Sequence, residues 1–182
     1  MDDIKIIQLS PGRWKEYKHL RLEALQRDPQ AFGQKYGKAV DFPDSYWIDH
    51  LEKSQAKEKL LVYFAEKNEK LLGMIGAFFH SGEETEDSAQ IFSVYVNKDF
   101  RNLGVAKRLQ NHLLRELGKI VGLKKVRVMV NRAQEPAVNL YKQGNFRLVK
   151  TEKRELGDGK EYLIDTLEQQ LNNVAMKQSD PV

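Results

Sequence analysis

Residues 94–106, VYVNKDFRNLGVA, join a strand-like run to a helix-like run. Upstream, residues 90–96 form an apolar run of strand length. Downstream, Leu109, Leu113 and Leu117 recur at helical spacing. The stretch therefore predicts a strand, a tight turn and a helix in direct succession.

The turn, 101–106, is a predicted anion-binding site. The first N–H groups of a helix have no intrahelical acceptor, and the helix dipole favours an anion beside them. Gly104 permits close approach of a ligand to the backbone, and Ala106 keeps the first helical turn uncrowded. Arg101 and Lys107 add positive charge. The pattern matches neither the phosphate loop of nucleoside triphosphatases nor the dinucleotide fingerprint.

Upstream of the junction, strands and helices are predicted without an internal repeat or a linker. A first strand is expected near Ile4, followed by a helix with Ser10 as its N-cap and Pro11 in its first turn. A second helix is predicted to open at 43–45, whereas 31–40 is too irregular to assign. Two strands at 60–65 and 71–79, separated by a polar turn, indicate a hairpin.

Downstream, the helix that follows Gly104 is expected to continue to Ile120 and to end at Gly122. A short helix is predicted to begin at Pro136. Further strands are expected at 126–130, 146–151 and 161–167. This order predicts a mixed α/β or α+β fold, with a single domain over 1–167 and a polar tail over 168–182.

Composition narrows the class of protein. The 182 residues include no cysteine, which excludes disulfides, thiolate metal sites and a cysteine acyl-enzyme. The acidic N-terminal residues and the lack of a long apolar run predict a cytoplasmic protein without a membrane segment. His19, His50 and His112 have no partner at metal-ligand spacing, so no metal is expected. The net charge of +4 comes from interleaved acids and bases, which favours solvated faces over a nucleic-acid stripe.

Two blocks of the sequence resemble the GNAT superfamily of N-acetyltransferases. Residues 94–106 look like its motif A, in which Arg/Gln-x-x-Gly-x-Gly/Ala follows a strand. Residues 136–146, PAVNLYKQGNF, follow a strand ending at Asn131 and are similar to the second family block. The resemblance implies a twisted, mostly antiparallel sheet of about six to seven strands with flanking helices. It also implies acetyl-CoA as cosubstrate, with no metal.

The same resemblance assigns roles to individual residues. Turn amides are expected to hold the CoA pyrophosphate, and the backbone of Val94 and Val96 to pair with the pantetheine arm. The amides near Tyr95 and Val96 are the expected oxyanion donors. Tyr141 stands at the position of the family's general acid, and Glu86 is a candidate base acting through water. The residues expected to contact the cofactor are Val94, Tyr95, Val96, Arg101, Asn102, Leu103, Gly104, Val105, Ala106, Lys107, Asn131, Gln134, Ala137, Asn139 and Tyr141.

Several alternatives stay open at this point. Some family members carry a glutamate where this chain has Gln90, so His80, Glu84 or Asp87 are further candidate bases, and capture of an already neutral amine needs none. Six aromatic residues of the first fifty either line an acceptor pocket or staple short helices; they are Trp14, Tyr17, Phe32, Tyr36, Tyr46 and Trp47.

The predicted function is acetyl transfer to a primary amine, on a small molecule or a peptide, by direct attack in a ternary complex. Self-association as a homodimer is compatible with the family. A non-catalytic acyl-CoA sensor is the first alternative. A basic nucleic-acid module, suggested by residues 124–127, KKVR, is the second.

Overall fold

The computed structural model describes residues 3–79 and 87–171, and these form one seven-stranded sheet with five α-helices around it. The strands are β1 (Lys5–Ile7), β2 (Leu60–Lys67), β3 (Lys70–Phe79), β4 (Ser88–Val96), β5 (Lys125–Asn131), β6 (Arg147–Glu155) and β7 (Glu161–Gln170). The helices are α1 (Trp14–Arg27), α2 (Tyr36–Val40), α3 (Asp44–Ala56), α4 (Val105–Leu117) and α5 (Glu135–Gln143). Short 3-10 turns cover Pro11–Arg13, Pro29–Ala31 and Lys98–Phe100.

The sheet is mixed, with strand order β1-β2-β3-β4-β5-β7-β6. Neighbouring strands run antiparallel except β4 and β5, which are parallel and are connected through α4. A parallel pair requires such a crossover, whereas the β2–β3 and β6–β7 pairs are joined by short turns. The predicted fold class and the predicted hairpin are both confirmed.

Two hydrophobic cores cover the two faces of the sheet. On β2, Tyr63 belongs to the core under α4, whereas its neighbour Phe64 belongs to the core under α1 and α3. This alternation follows from the strand period of two, which sends successive side chains to opposite faces. Because the two cores cover opposite faces of the sheet, most of β2 and β3 is buried on both sides and forms the centre of the protein.

Three local predictions differ from the structure. The Ser10 side chain makes no capping hydrogen bond, because a 3-10 turn precedes the α-helix, which starts at Trp14. α4 ends earlier than expected: the Gly118 N–H caps it by donating to Leu114, and Gly122 lies in the following loop with φ 85°. The unassigned stretch 31–40 contains the short helix α2 and the end of a 3-10 turn.

Both final strands are also longer than predicted, and β7 continues to Gln170, beyond the expected start of the tail. They pair with each other along most of their length, so the tertiary partner extends them past the apolar residues that mark them in the sequence.

Strands β4 and β5 separate partway along their length. Their parallel pairing runs from Ser88 and Lys125 to Ile91 and Val128, and no further pair is formed beyond that point in the described residues. Just past it, Ser93 has φ 53°, opposite a register shift in β3. Such a bulge bends a strand and increases its twist. The bend leaves a gap between the ends of two neighbouring strands.

Candidate functional site

A cleft of about 810 Å³ occupies the gap between β4 and β5. It is lined on one side of the sheet by the start of α4 and by α5, which belong to the same core. On the other side it is lined by Arg21 of α1 and by residues of the loop after that helix, including Phe32. The cleft is thus lined by residues from both faces of the sheet.

The edge of β4 presents unpaired backbone groups to this cleft. The Asn97 N–H donates to the Leu72 carbonyl at 2.8 Å, which fixes that residue's amide toward β3. Since backbone groups alternate direction along a strand, the N–H groups of Val96 and Val94 are directed toward the gap. The Val96 carbonyl accepts a 2.9 Å hydrogen bond from Arg101 Nε.

The side chain of Tyr95 faces the α1 side of the sheet. Its hydroxyl donates to Glu23 Oε1 at 2.9 Å, and Asn97 Nδ2 donates to the same oxygen at 2.7 Å. Burial, together with the neighbouring Glu23 carboxylate, raises the pKa of the Tyr95 phenol. The contribution of Tyr95 to this site is therefore to fasten the strand end to α1.

In the part of the chain that the structure describes, the turn after β4 includes several amides without a backbone acceptor. Gly104 is the N-cap of α4 and has φ 75°, a left-handed conformation that favours glycine. The first backbone hydrogen bond of the helix runs from the Arg108 N–H to the Gly104 carbonyl at 3.0 Å. In the described residues, the N–H groups of 102–107 donate no such bond to a carbonyl. A helix N-terminus of this kind can hold a phosphate group.

Tyr141 lies on α5 and borders the same cleft. It is 3% exposed, and its ring packs edge-on against Phe146 at 5.4 Å between centroids. Within 3–79 and 87–171, no hydrogen bond to its hydroxyl is formed. A phenol is already neutral at neutral pH, and burial raises the pKa of Tyr141 further. The arrangement provides a neutral O–H donor at the wall of the cleft.

The structure brings most of the predicted cofactor residues together. Those that line the cleft are Val94, Tyr95, Val96, Arg101, Asn102, Gly104, Val105, Ala106, Lys107, Asn131, Gln134, Ala137 and Tyr141. Leu103 and Asn139 do not line it. Asn139 lines a different cavity, because it lies about 200° around the helix from both Ala137 and Tyr141. Leu103 projects from the turn and is 41% exposed.

Asn131 serves a structural purpose within the cleft. Its Nδ2 donates to the Gln30 carbonyl at 3.0 Å, and its Oδ1 accepts from the Ala133 N–H at 3.0 Å. The Gly157 N–H donates to the Phe32 carbonyl at 2.7 Å. These bonds hold the loop after α1 against the end of β5 and the β6–β7 turn.

The candidate bases are mostly not located by the structure. Glu86, Glu84 and His80 lie outside the described residues. Asp87 is described, and its carboxylate is within 3.6 Å of Lys124 Nζ and 3.5 Å of Lys125 Nζ.

Of the six N-terminal aromatic residues, Phe32 is the one that lines the cleft. Tyr17 and Trp47 pack edge-on in the core at 5.3 Å between centroids.

Arg21 also lines the cleft, although no sequence motif indicates it. The helical spacing could have indicated Arg21, because it lies on the same buried stripe of α1 as Tyr17 and Leu25. A charged residue thus occupies an apolar position.

Two classes of site find no support in the part of the chain that the structure describes. No group of histidine and acidic side chains there is arranged to hold a metal ion. Every helix in those residues is too short or too polar to cross a membrane.

Comparison with known proteins agrees with this geometry. The family model "Acetyltransferase (GNAT) family" matches residues 14–145. A search of curated proteins finds no match.

Solved structures share the fold at low sequence identity. A GNAT-family acetyltransferase from Streptococcus pneumoniae is 16% identical, with a TM-score of 0.81 over 92% of this chain and 99% of that chain. YncA from Salmonella typhimurium, solved with acetyl-CoA, is 14% identical with a TM-score of 0.79 over 100% and 99% of the two chains. The PaiA N-acetyltransferase of Thermoplasma acidophilum, solved with coenzyme A, is 16% identical with a TM-score of 0.70 over 92% and 98%.

Proposed function

Because the chain belongs to the acetyltransferase (GNAT) family, we propose that it moves the acetyl group of acetyl-CoA to a primary amine by direct attack in a ternary complex. The observation that carries the proposal is the gap between β4 and β5, which ends at a turn whose amides have no backbone acceptor in the described residues. This combination offers both a slot for an extended arm and a cradle for its phosphates.

The backbone is the main cofactor-binding element of this proposal. The amides of 102–107 hold the diphosphate, and Lys107 adds charge without requiring a fixed geometry. The N–H groups of Val94 and Val96 pair with the pantetheine arm. Of the amides around Tyr95 and Val96, the Val96 N–H stabilises the oxyanion that develops on the thioester carbonyl, because the Tyr95 N–H is directed toward β3. Acetyl-CoA itself supplies the activated acyl group, so no covalent enzyme intermediate is required.

Tyr141 is the proposed general acid. The departing thiolate needs a proton, and the Tyr141 hydroxyl, which borders the cleft and has no hydrogen-bond partner in the described residues, can supply it. Glu86 stays a proposed base acting through water. The acids that do line the described cleft, Asp28 and Glu155, are each ion-paired, with Arg101 and Lys35 respectively. Capture of an amine that is already neutral is consistent with that arrangement.

The proposal also includes a cellular location, a homodimer and no binding to nucleic acid. We place the protein in the cytoplasm, since the sequence has no cysteine for an oxidising compartment. A homodimer is supported by β6, an edge strand on which Leu148 and Val149 are exposed. The nucleic-acid alternative is disfavoured because Lys124 and Lys125 are ion-paired with Asp87, and Arg127 with Glu168.

The decisive experiment measures release of free CoA thiol from acetyl-CoA in the presence of a broad panel of primary amines. The proposal expects acetylated product and thiol in equal amounts with at least one amine class. Binding of CoA without thiol release from any amine would favour the sensor instead. Salt-sensitive binding to nucleic acid, indifferent to CoA, would favour the second alternative.

A further inference from the structure

Arg21 is an arginine buried in the apolar side of α1. It is 8% exposed and lies on the same stripe as Tyr17 and Leu25, both of which are core residues. Arginine is almost never fully buried unless it is paired, because removing a charge from water costs several kcal/mol. A buried arginine that also lines a cleft therefore requires a physical explanation.

Protein groups satisfy only part of this side chain. Its Nη2 donates to Gln34 Oε1 at 2.9 Å, and its guanidinium carbon lies 4.6 Å from the centroid of the Phe32 ring. Its Nη1 is buried and has no hydrogen-bond partner. Across the described ranges, no carboxylate forms an ion pair with it. Burial lowers the pKa of Arg21, as expected for a cation that lacks a counter-charge.

Neighbouring charges of the cleft do not supply that counter-charge. The Asp28 carboxylate is ion-paired with Arg101, and Glu155 with Lys35. Both acids already have cationic partners, so the positive charge of Arg21 is left uncompensated on the α1 side of the cleft. An incoming anion is favoured there, whereas an acceptor carrying only positive charge is disfavoured.

The geometry also selects the type of anion. The guanidinium carbon lies 4.6 Å from the centroid of the Phe32 ring, and the two hydrogens of the buried Nη1 have no acceptor in the described residues. A planar carboxylate matches the edge of a guanidinium group. Arg21 lies on the face of the sheet opposite to α4, so a carboxylate bound there keeps clear of the phosphate cradle. The rest of that molecule extends toward the gap in the sheet.

We propose that the acceptor is a small amine that also bears a carboxylate, such as an amino acid, and that Arg21 binds the carboxylate while the amine faces the gap between β4 and β5. This inference rests on the proposed acetyl transfer and narrows its substrate class. Arg21 is then a specificity-determining residue, and its missing partner is the substrate itself.

The test compares acceptors that differ only in the carboxylate. Amino acids, their primary amides, and the carboxylate-free amines ethylamine and spermidine are assayed for thiol release with saturating acetyl-CoA. We expect kcat/KM for the best amino acid to exceed that of its own amide by at least about tenfold, as for loss of a charge-assisted hydrogen bond. Equal rates for acid and amide would overturn the inference and leave acetyl transfer intact, whereas no turnover with any amine would contradict the proposed function.

Single substitutions test whether Arg21 causes the preference for the acid over the amide. Arg21→Met is expected to abolish the preference for the acid over the amide while leaving the KM for acetyl-CoA unchanged. The matched control is Arg27→Gln on the same helix, since the Arg27 side chain is exposed and lies outside the cleft. A preference that survives Arg21→Met, or that disappears equally in Arg27→Gln, would overturn the assignment.

Thermal melting, which requires no turnover, distinguishes a ligand-binding role of Arg21 from a structural one. An uncompensated buried cation destabilises the fold, so Arg21→Met is expected to melt at the same temperature as wild type or higher. The preferred amino acid, added alone, is expected to raise the Tm of wild type and not that of Arg21→Met. A strongly lowered Tm in the variant, without any ligand shift in wild type, would mean that Arg21 is structural. Acceleration by acidic peptides alone, with no response to free amino acids, would overturn the small-molecule assignment.

Discussion

Arg101 joins the end of β4 to the end of α1: its Nη2 is ion-paired with Asp28 Oδ2, and its Nε donates to the Val96 carbonyl at 2.9 Å. The sequence predicts Arg101 as a direct source of positive charge for the bound anion. In the structure part of that charge is already offset by a carboxylate that lines the same cleft. Arg101 therefore also positions the turn, because it fastens the residues on either side of it.

Asp28→Asn removes a negative charge from the cleft and releases Arg101 for the cofactor. We expect the affinity for CoA, measured by calorimetry, to increase by about threefold, with a smaller gain at high salt. The Arg101 side chain is 41% exposed, so loss of the pair is expected to cost at most about 1 kcal/mol of stability. Asp49→Asn, which breaks the exposed pair with Lys53 on α3, is the control. An unchanged or weaker CoA affinity in Asp28→Asn would contradict this account.

CoA binding is expected to require glycine at position 104, because a side chain or a negative charge there would interfere with the phosphates. Gly104→Glu places a carboxylate beside the amides of the turn and should abolish measurable CoA binding. Gly122 is a matched control, since it also has a positive φ, of 85° against 75°, and lies outside the cleft. No described atom lies within 4 Å of a Cβ built at either position, so both variants should lose a similar stability, about 1–2 kcal/mol, through the backbone alone. Equal loss of CoA affinity in Gly122→Glu would show that the effect is not local to the turn.

Tyr141→Phe is expected to lower kcat by about a hundredfold, the lower end of the range for loss of a general acid, with little change in CoA affinity. The hydroxyl makes no hydrogen bond within the described residues, so the Tm should stay close to that of wild type. Tyr63→Phe provides the comparison, because Tyr63 is buried on the same face of the sheet without lining the cleft. Wild-type turnover in Tyr141→Phe would refute its assignment as the acid.

His50 should make stability depend on pH on the acid side. Its pKa is lowered from 6.5, first by burial and then by Lys53 and Arg21, with Asp49 opposing. The unfolded state therefore binds the proton more readily, and stability falls as the pH drops below the ordinary histidine value. We expect the Tm to fall between about pH 7.5 and about pH 5.5, and to fall less in His50→Gln. Since the pKa of His112 is also lowered, part of the decrease in Tm should remain in His50→Gln.

Ser54 is expected to be a strong determinant of stability. Its Oγ accepts from the Val62 N–H at 2.7 Å and from Gln8 Nε2 at 3.0 Å, and the residue is 1% exposed. Ser54→Ala leaves a buried amide without its partner and should cost about 1–3 kcal/mol in chemical denaturation. Ser45→Ala, at an exposed position near the start of the same helix, should remain within about 0.5 kcal/mol of wild type. Similar losses at both positions would contradict the buried network.

The sequence alone determined the order of most elements and the family, and it predicted the turn at Gly104 and the position of Tyr141. These features are local: a strand period of two, a helix period of 3.6 and a glycine at a helix start are all visible within short windows of sequence. The family blocks are local as well, and the family model confirms them. Boundaries were less well predicted, as at the end of α4, because helix ends depend on backbone hydrogen bonds that the sequence does not display.

Only the tertiary structure decided where β4 leaves β5, which helix face Asn139 occupies, and that Arg101 is paired with Asp28. It also placed Arg21, an arginine on an apolar stripe, beside Phe32 and without an ion-pairing acid in the described residues. The physical reason is the same in each case. Burial, pairing and strand separation depend on residues far apart in the chain, and the free energy of a charge is set by what surrounds it after folding.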